Sequence, residues 1–210
     1  MKKQILLVII ILFIKFTAFC QKEHTLIQLS FDYIYYPFIF YPENHNDGSY
    51  KSGGNIAYFI TNRVAVSTGL EYETKKFTID YESAMLYKKE SFNLRYINFP
   101  LKTEIEIFDT RSNALYLKTG FEHGSLIYKE RLIEYQNGNT VSSLSDYHIN
   151  KFIINVAFGF AYRLFIAESY FIGACPNIRY NVTNSQGISG DTGAGTALSF
   201  TFQINLGYRF

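Results

Sequence analysis

In the stretch FEHGS, His123 and Ser125 stand two positions apart. These are the residue types of a base and a nucleophile, since an imidazole can take the hydroxyl proton as the oxygen attacks an acyl carbon. Such a pair needs a third group to orient the imidazole. The adjacent carboxylate, Glu122, has the opposite parity, and on an extended strand successive side chains leave on opposite faces. His123 and Ser125 therefore read as a polar strand end. A second cluster, PENHNDGS (Pro42–Ser49), offers Glu43, His45 and Asp47, but a calcium or zinc site needs more ligands, rigidly held. The four histidines, His24, His45, His123 and His148, show no metal spacing. SGDTGAG (Ser189–Gly195) has the glycines of a phosphate loop, yet it runs into a strand and not into a helix N-terminus that could hold the anion. No catalytic residue, cofactor or metal ligand is expected.

The charges are more informative. Asp32, Glu71, Glu73, Lys75, Lys102, Glu104, Lys118, Glu122, Arg163, Arg179 and Arg209 recur on alternating positions among Gly, Ser, Asn and Ala. The residues between them are large and apolar. Both signs are present, so a face carrying them could satisfy itself by ion pairs if it were enclosed.

Eight alternating runs place these residues. The first is Thr25–Tyr35, with Ile27, Leu29, Phe31, Tyr33 and Tyr35 on one face. Ser52–Ile60, the turn Thr61–Arg63 and Val64–Thr74 form the clearest hairpin. The fourth run, Asn93–Ile105, contains Pro100, where a bulge or frayed pairing is expected. Leu115–Phe121, Phe152–Arg163, Tyr170–Tyr180 and Leu198–Phe210 follow. The period of two marks each as a strand. Short turns follow the even runs. Long polar connections follow the odd ones: Pro37–Tyr50, Phe77–Glu90, about Ile127–Ile149 and about Thr183–Thr196. This is the plan of an eight-stranded antiparallel up-and-down transmembrane β-barrel, with long loops extracellular and both termini periplasmic.

Volume decides which face is inside. A narrow eight-stranded barrel has room for little more than one layer of side chains. The apolar faces carry Phe, Tyr, Leu and Ile, while the others carry Gly53, Gly69, Gly120, Gly159, Gly173 and Gly207 with small polar residues. The small and charged faces should line the lumen and the aromatics should meet lipid. The rejected alternative is a water-soluble barrel with an apolar cavity. The expected lumen network is Asp32, Glu71, Glu73, Lys102, Glu104, Lys118, Glu122, Arg163, Arg179 and Arg209. Its pairing favours a plug over a narrow conducting channel.

The remaining totals agree. Of 210 residues, 48% are apolar and 18% aromatic, with no Trp. A net charge of +2 gives no reason to expect nucleic acid as a partner. Lys2 and Lys3 precede an apolar run, Ile5–Ile14, too short to span a bilayer as a helix. Residues 1–20 read as a secretory signal, cut after Cys20, and residues 21–210 as the barrel domain. Lipidation of Cys20 is disfavoured by the bulk of Phe19 before it. Removal of the signal leaves Cys175 alone and excludes an intrachain disulfide.

YINFPLKTEI (Tyr96–Ile105), LKTGFEHGSLIY and INVAFGFAYRL resemble strands of the small outer-membrane β-barrel domain family of Gram-negative bacteria. That family is porin-like or PorT-like, with OmpA/OmpX-type architecture. The resemblance covers nearly all of Thr25–Phe210 and implies an outer-membrane location and a fold, not a chemistry. The terminus is similar to the signal read by the barrel-assembly machinery, with Tyr208 and Phe210 as its aromatic positions; the upstream glycine of that signal falls on Asn205. The expected partners are outer-membrane lipid, that machinery during biogenesis, and an extracellular or envelope protein met by the loops. A monomer is expected. The implied role is a non-enzymatic surface or envelope-assembly protein, with a narrow channel as the rival and a lipid A-modifying enzyme, suggested by His123 and Ser125, further behind.

Overall fold

The structure is a computed structural model and describes residues 25–35, 44–46, 48–80, 87–143, 151–166, 169–183 and 198–210. The expected signal segment, Cys20 and the glycine-rich stretch 189–195 lie outside the described residues, as do Glu43 and Asp47.

Every element described is a strand. They are β1 (Thr25–Tyr35), β2 (Asn44–Asn46), β3 (Ser49–Phe59), β4 (Val64–Asp80), β5 (Tyr87–Asp109), β6 (Asn113–Tyr135), β7 (Thr140–Ser143), β8 (Phe152–Phe165), β9 (Tyr170–Asn181) and β10 (Leu198–Arg209). Eight of them close a ring, β1–β3–β4–β5–β6–β8–β9–β10, and β10 pairs back onto β1 from Tyr35↔Phe200 to Leu26↔Arg209. Every pairing is antiparallel. Closure leaves no sheet edge in the ring, so the backbone ladders run from strand to strand all the way round, interrupted at Pro100 and Pro176.

The short turns are built by local hydroxyl chemistry. Thr61 Oγ1 accepts from the amides of Arg63 (3.2 Å) and Val64 (3.0 Å) between β3 and β4. Thr110 Oγ1 accepts from the Asn113 amide (3.0 Å) between β5 and β6. A Thr at the first corner offers the backbone a bond that the ladder no longer supplies. These turns mark one end of the barrel, the turn end.

The barrel is inside out relative to a soluble one. Along β1, Leu26, Gln28, Ser30, Asp32 and Ile34 are buried, whereas Ile27, Leu29, Phe31, Tyr33 and Tyr35 are 42–65% exposed. The alternation continues on β8, β9 and β10. Gly120 shows how tightly the wall bends. A Cβ there would stand 2.3 Å from the Leu101 carbonyl oxygen and 2.5 Å from the Lys102 Cα, so only glycine permits that approach.

The connections differ from expectation. β4 runs on to Asp80 and β5 starts at Tyr87, so most of the expected loop Phe77–Glu90 is strand. β6 continues to Tyr135, turns at Gly138 (φ 80°) and returns as β7 inside the expected loop Ile127–Ile149. β2 lies on β4 opposite Phe77–Ile79, and β3 begins at Ser49. The reason is physical. Above the lipid the outward face can be polar and the inward one apolar, as in Ser91, Asn93 and Arg95 against Phe92, Leu94 and Tyr96 of β5, so the alternation that reveals a membrane strand changes phase while the hydrogen-bonded ladder goes on. β5 and β6 have 23 residues each, about 75 Å of strand, against an apolar belt about 25 Å tall. Strands β2, β4, β5, β6 and β7 thus form a sheet raised beyond the rim. At Pro100 the β4–β5 register is unchanged, but Gly69/Pro100 and Leu70/Phe99 are not paired. The pairing frays there without a bulge.

Candidate functional site: the barrel interior

The inward positions form three layers. At the turn end, Leu26, Phe59, Tyr116, Phe165, Phe171 and Cys175 make one apolar cluster with four alanines. Its rings lock edge to face, Phe59 on Tyr116 at 6.2 Å and Phe165 on Phe171 at 5.8 Å. Toward the raised sheet a second cluster joins Leu94, Tyr96 and Ile153, with Phe77 and Leu126 against it. Between them lies the charge layer.

Lys51 is the hub of that layer. Its Nζ lies 3.0 Å from Asp32, 2.7 Å from Glu71 and 2.9 Å from Glu122. Lys102 reaches Glu122 at 2.6 Å and Glu71 at 3.5 Å. Arg179 bridges Glu73 at 3.0 Å and Glu122 at 2.8 Å, and Asn98 donates to Glu73 at 2.7 Å. Lys75 stands 3.7 Å from Glu73 and over the Tyr96 ring at 5.1 Å. Nearer the turn end, Glu104 accepts from Arg163 and lies 3.4 Å from Lys118, which also donates to Gln203 at 3.4 Å. Arg163 spreads its guanidinium over Tyr116 at 4.4 Å and Phe171 at 5.2 Å. It therefore joins the charges to the apolar layer below.

Five carboxylates face six cations in this layer. A pair taken out of water regains its desolvation cost only if the remaining lone pairs and protons are also met. Glu122 stands within ion-pair distance of three cations at once, while Asp32 Oδ1 and Arg163 Nε are buried without a hydrogen-bond partner among the described residues.

Of the residues singled out in the sequence, Asp32, Glu71, Glu73, Lys102, Glu104, Lys118, Glu122, Arg163 and Arg179 come together here. Arg209 does not. It shares their parity, but its strand has reached the rim, where it pairs with Asp109 at 3.4 Å and covers Phe165 at 4.1 Å. Lys51 lies outside the run expected from Ser52 because β3 begins at Ser49; its parity with Gly53 and Asn55 is the signal the sequence offers. The apolar layers are likewise hidden in the sequence. Phe59, Tyr116 and Phe171 are large side chains on faces read as small, and they fit because only the ends of the lumen hold them.

His123 and Ser125 lie on the outer face, opposite Phe99 and Ile97 of β5 and Ile154 and Phe152 of β8. The His123 ring stacks on Phe152 at 5.7 Å. Glu122, the one carboxylate beside them in sequence, is turned into the lumen network. His45 sits on β2, its backbone opposite Thr78. Tyr208 packs on Tyr170 at 4.9 Å and Phe210 at 4.7 Å. The Phe210 amide donates to Thr25 at 3.0 Å across the closing seam.

A closed ring whose apolar side chains face out and whose charges are paired within defines a membrane-spanning barrel protein. The family described as "Outer membrane protein beta-barrel domain" matches residues 28–190. The chain belongs to that family and is an outer-membrane protein. Among solved structures it is similar to the outer membrane protein OprG of Pseudomonas aeruginosa, with TM-score 0.56 and 10% identity over 90% of this chain and 97% of that one. It also matches the N-terminal β-barrel domain of Pseudomonas aeruginosa OprF (TM-score 0.49, 14% identity, 90% and 100% covered) and Ail, the attachment invasion locus protein of Yersinia pestis (0.44, 13%, 90% and 100%). At such identities the likeness is one of fold alone. No curated protein sequence matches the chain.

Proposed function

We propose that this protein is a non-enzymatic outer-membrane barrel that works through the sheet raised beyond its rim, as a surface-interaction or envelope-assembly protein. The carrying observation is the interior. Ion pairs fill its middle and apolar side chains close over them on both sides, which supports a plug and leaves the raised sheet as the part able to meet a partner. That sheet exposes Ile127, Tyr128, Leu132 and Val141, with Arg95 over Tyr128 at 4.4 Å. Apolar side chains outside the lipid belt mark contact surfaces.

In this reading residues 1–20 are a cleaved export signal. Tyr208 and Phe210 serve the barrel-assembly machinery, the raised sheet is extracellular, the charge network stabilises and fills the lumen, and the barrel works as a monomer. The test is twofold. Purified protein in a planar bilayer should give no discrete conductance steps; regular steps would instead make it a narrow channel. Photo-crosslinkers at Ile127 and Leu132 should capture an envelope or extracellular protein on intact cells, whereas crosslinkers at Phe202 should capture lipid. No protein captured at the first two sites would overturn the role given to the sheet.

A further inference from the structure

Pro176 stands in the middle of the β8–β9 pairing. Residues 155–159 pair with 177–181 and residues 162–165 with 171–174, in one unbroken register. The two pairs between them, Phe160/Pro176 and Ala161/Cys175, are absent. Both depend on one bond, from the nitrogen of residue 176 to the carbonyl of residue 160, and proline has no N–H to give. On its other side Pro176 keeps its pairing with Phe202 of β10, so the defect lies wholly toward β8. The Pro176 carbonyl also points there, because a Cβ on Gly159 would stand 2.2 Å from its oxygen. The Phe160 carbonyl oxygen is left without its ladder donor. In hydrocarbon no water replaces that donor.

The same notch is a groove. A cavity of about 440 Å³ opens on the outer face, with Gly159 and Pro176 in its floor and Tyr33, Phe158, Phe160 and Phe202 among its walls. Its size is that of a small-molecule site. Tyr33 is close to the end of β1 and Phe202 close to the start of β10, so the groove lies in the half of the belt nearer the raised sheet. Acyl chains are the medium that surrounds this face. Tyr33 and Tyr35 bring phenol groups to the groove and Asn177 and Thr201 also line it, but a carbonyl unmet in hydrocarbon is the group that gains most from a chain carrying a donor. A plain chain would fill the groove and leave the oxygen unmet.

We propose that this groove seats one hydroxylated acyl chain of a lipid from the adjoining leaflet, its hydroxyl donating to the Phe160 carbonyl. The inference rests on the membrane placement of the barrel and not on the role of the raised sheet.

The test uses the full barrel in vesicles containing equal amounts of β-hydroxymyristoyl phosphatidylethanolamine and its myristoyl twin. Lipids retained after release are counted by native mass spectrometry. The hydroxylated lipid should be kept about fivefold over its twin, the ratio that one neutral hydrogen bond supports. Pro176→Ala and Pro176→Ser each return the missing N–H, and both should bring the ratio to about one. Pro100→Ala is the matched control, because it returns an N–H at the interruption away from the groove and should leave the preference intact. Mobility of unheated samples on a denaturing gel verifies that each variant has closed. Equal retention of the two lipids by the unsubstituted protein would overturn the proposal, as would a preference that survives in the closed Pro176 variants.

Discussion

Glu122→Gln is the sharpest perturbation of the interior. The substitution keeps shape and removes the charge that touches Lys51, Lys102 and Arg179. The three cations are not equally stranded. Lys51 keeps Asp32 at 3.0 Å and Glu71 at 2.7 Å, and Arg179 keeps Glu73 at 3.0 Å. Lys102 loses its 2.6 Å partner and keeps only Glu71 at 3.5 Å. Breaking a buried pair by deleting one member costs about 3–5 kcal/mol. With two of the three cations still paired, the lower end, about 3 kcal/mol, is expected. Removing the stranded cation as well, in Glu122→Gln with Lys102→Met, restores the original charge balance of the layer. That variant should recover to within about 1 kcal/mol of the parent, as interacting residues do in a double-mutant cycle. The chain has no Trp, so unfolding is followed in urea by far-UV circular dichroism and by the loss of the fast-migrating band on unheated gels. A single variant as stable as the parent would refute the claim that the layer is desolvated and paired. A double variant no more stable than the single would refute the assignment of Lys102 as the stranded partner.

Other outcomes follow from particular contacts. Gly120→Val should drive a side chain into the Leu101 carbonyl and Lys102 backbone, costing at least the roughly 1–3 kcal/mol of overpacking and depleting the folded band. Phe171→Ala should remove a buried ring from the turn-end layer at about 3–5 kcal/mol, while Phe202→Ala, on the lipid face, should cost clearly less in the same urea titration. His123→Ala should leave the lipid A profile of expressing cells unchanged, because Glu122, the carboxylate beside it in sequence, is held by Lys51, Lys102 and Arg179 in the lumen and cannot orient the imidazole; an altered profile specific to the parent protein would favour the enzyme. Val141→Cys should be labelled on intact cells by a membrane-impermeant maleimide against a low background, since Cys175 is buried; absence of labelling would contradict an extracellular raised sheet.

The barrel was legible in the sequence because lipid and lumen impose opposite chemistry on successive residues. β1, β8 and β10 alternate without exception through the belt, and their inward sets could be read by parity alone. Legibility failed where that contrast inverts. Along the upper part of β5 the outward positions Lys89, Ser91, Asn93 and Arg95 are polar and the inward Phe92, Leu94 and Tyr96 are apolar and buried, the reverse of the belt, while the ladder β5–β6 continues through them. The hub Lys51 was hidden at such a border. Arg209 failed in the opposite way, for parity gives a side chain's face but not its depth, and only the end of the strand places it beyond the network. His123 was correctly set apart from Glu122 by one residue of parity, which here separates the lipid side from the lumen.

The network also constrains the shape of the ring. Neighbouring strands are held by their ladders, but several ion pairs join strands that are not neighbours. Lys51 of β3 reaches Glu122 of β6, and Arg179 of β9 reaches Glu73 of β4. Such bonds run across the lumen and exist only when the sheet has curled to this circumference. A one-residue slip of any strand would turn its charges into lipid and its rings inward, where the central layer has no space for them. Paired charges therefore penalise wrong registers and wrong strand numbers more than they favour the right one. Replacing Asp32, Glu71 and Glu122 together with their cations Lys51, Lys102 and Arg179 by apolar residues of like volume removes whole pairs and leaves Glu73 with Lys75 and Glu104 with Lys118 and Arg163; it should leave the closed barrel about as stable but lower the fraction that reaches it. Refolding yield into vesicles, measured beside the urea midpoint, separates the two effects. An unchanged yield would show that closure is specified by the ladders alone.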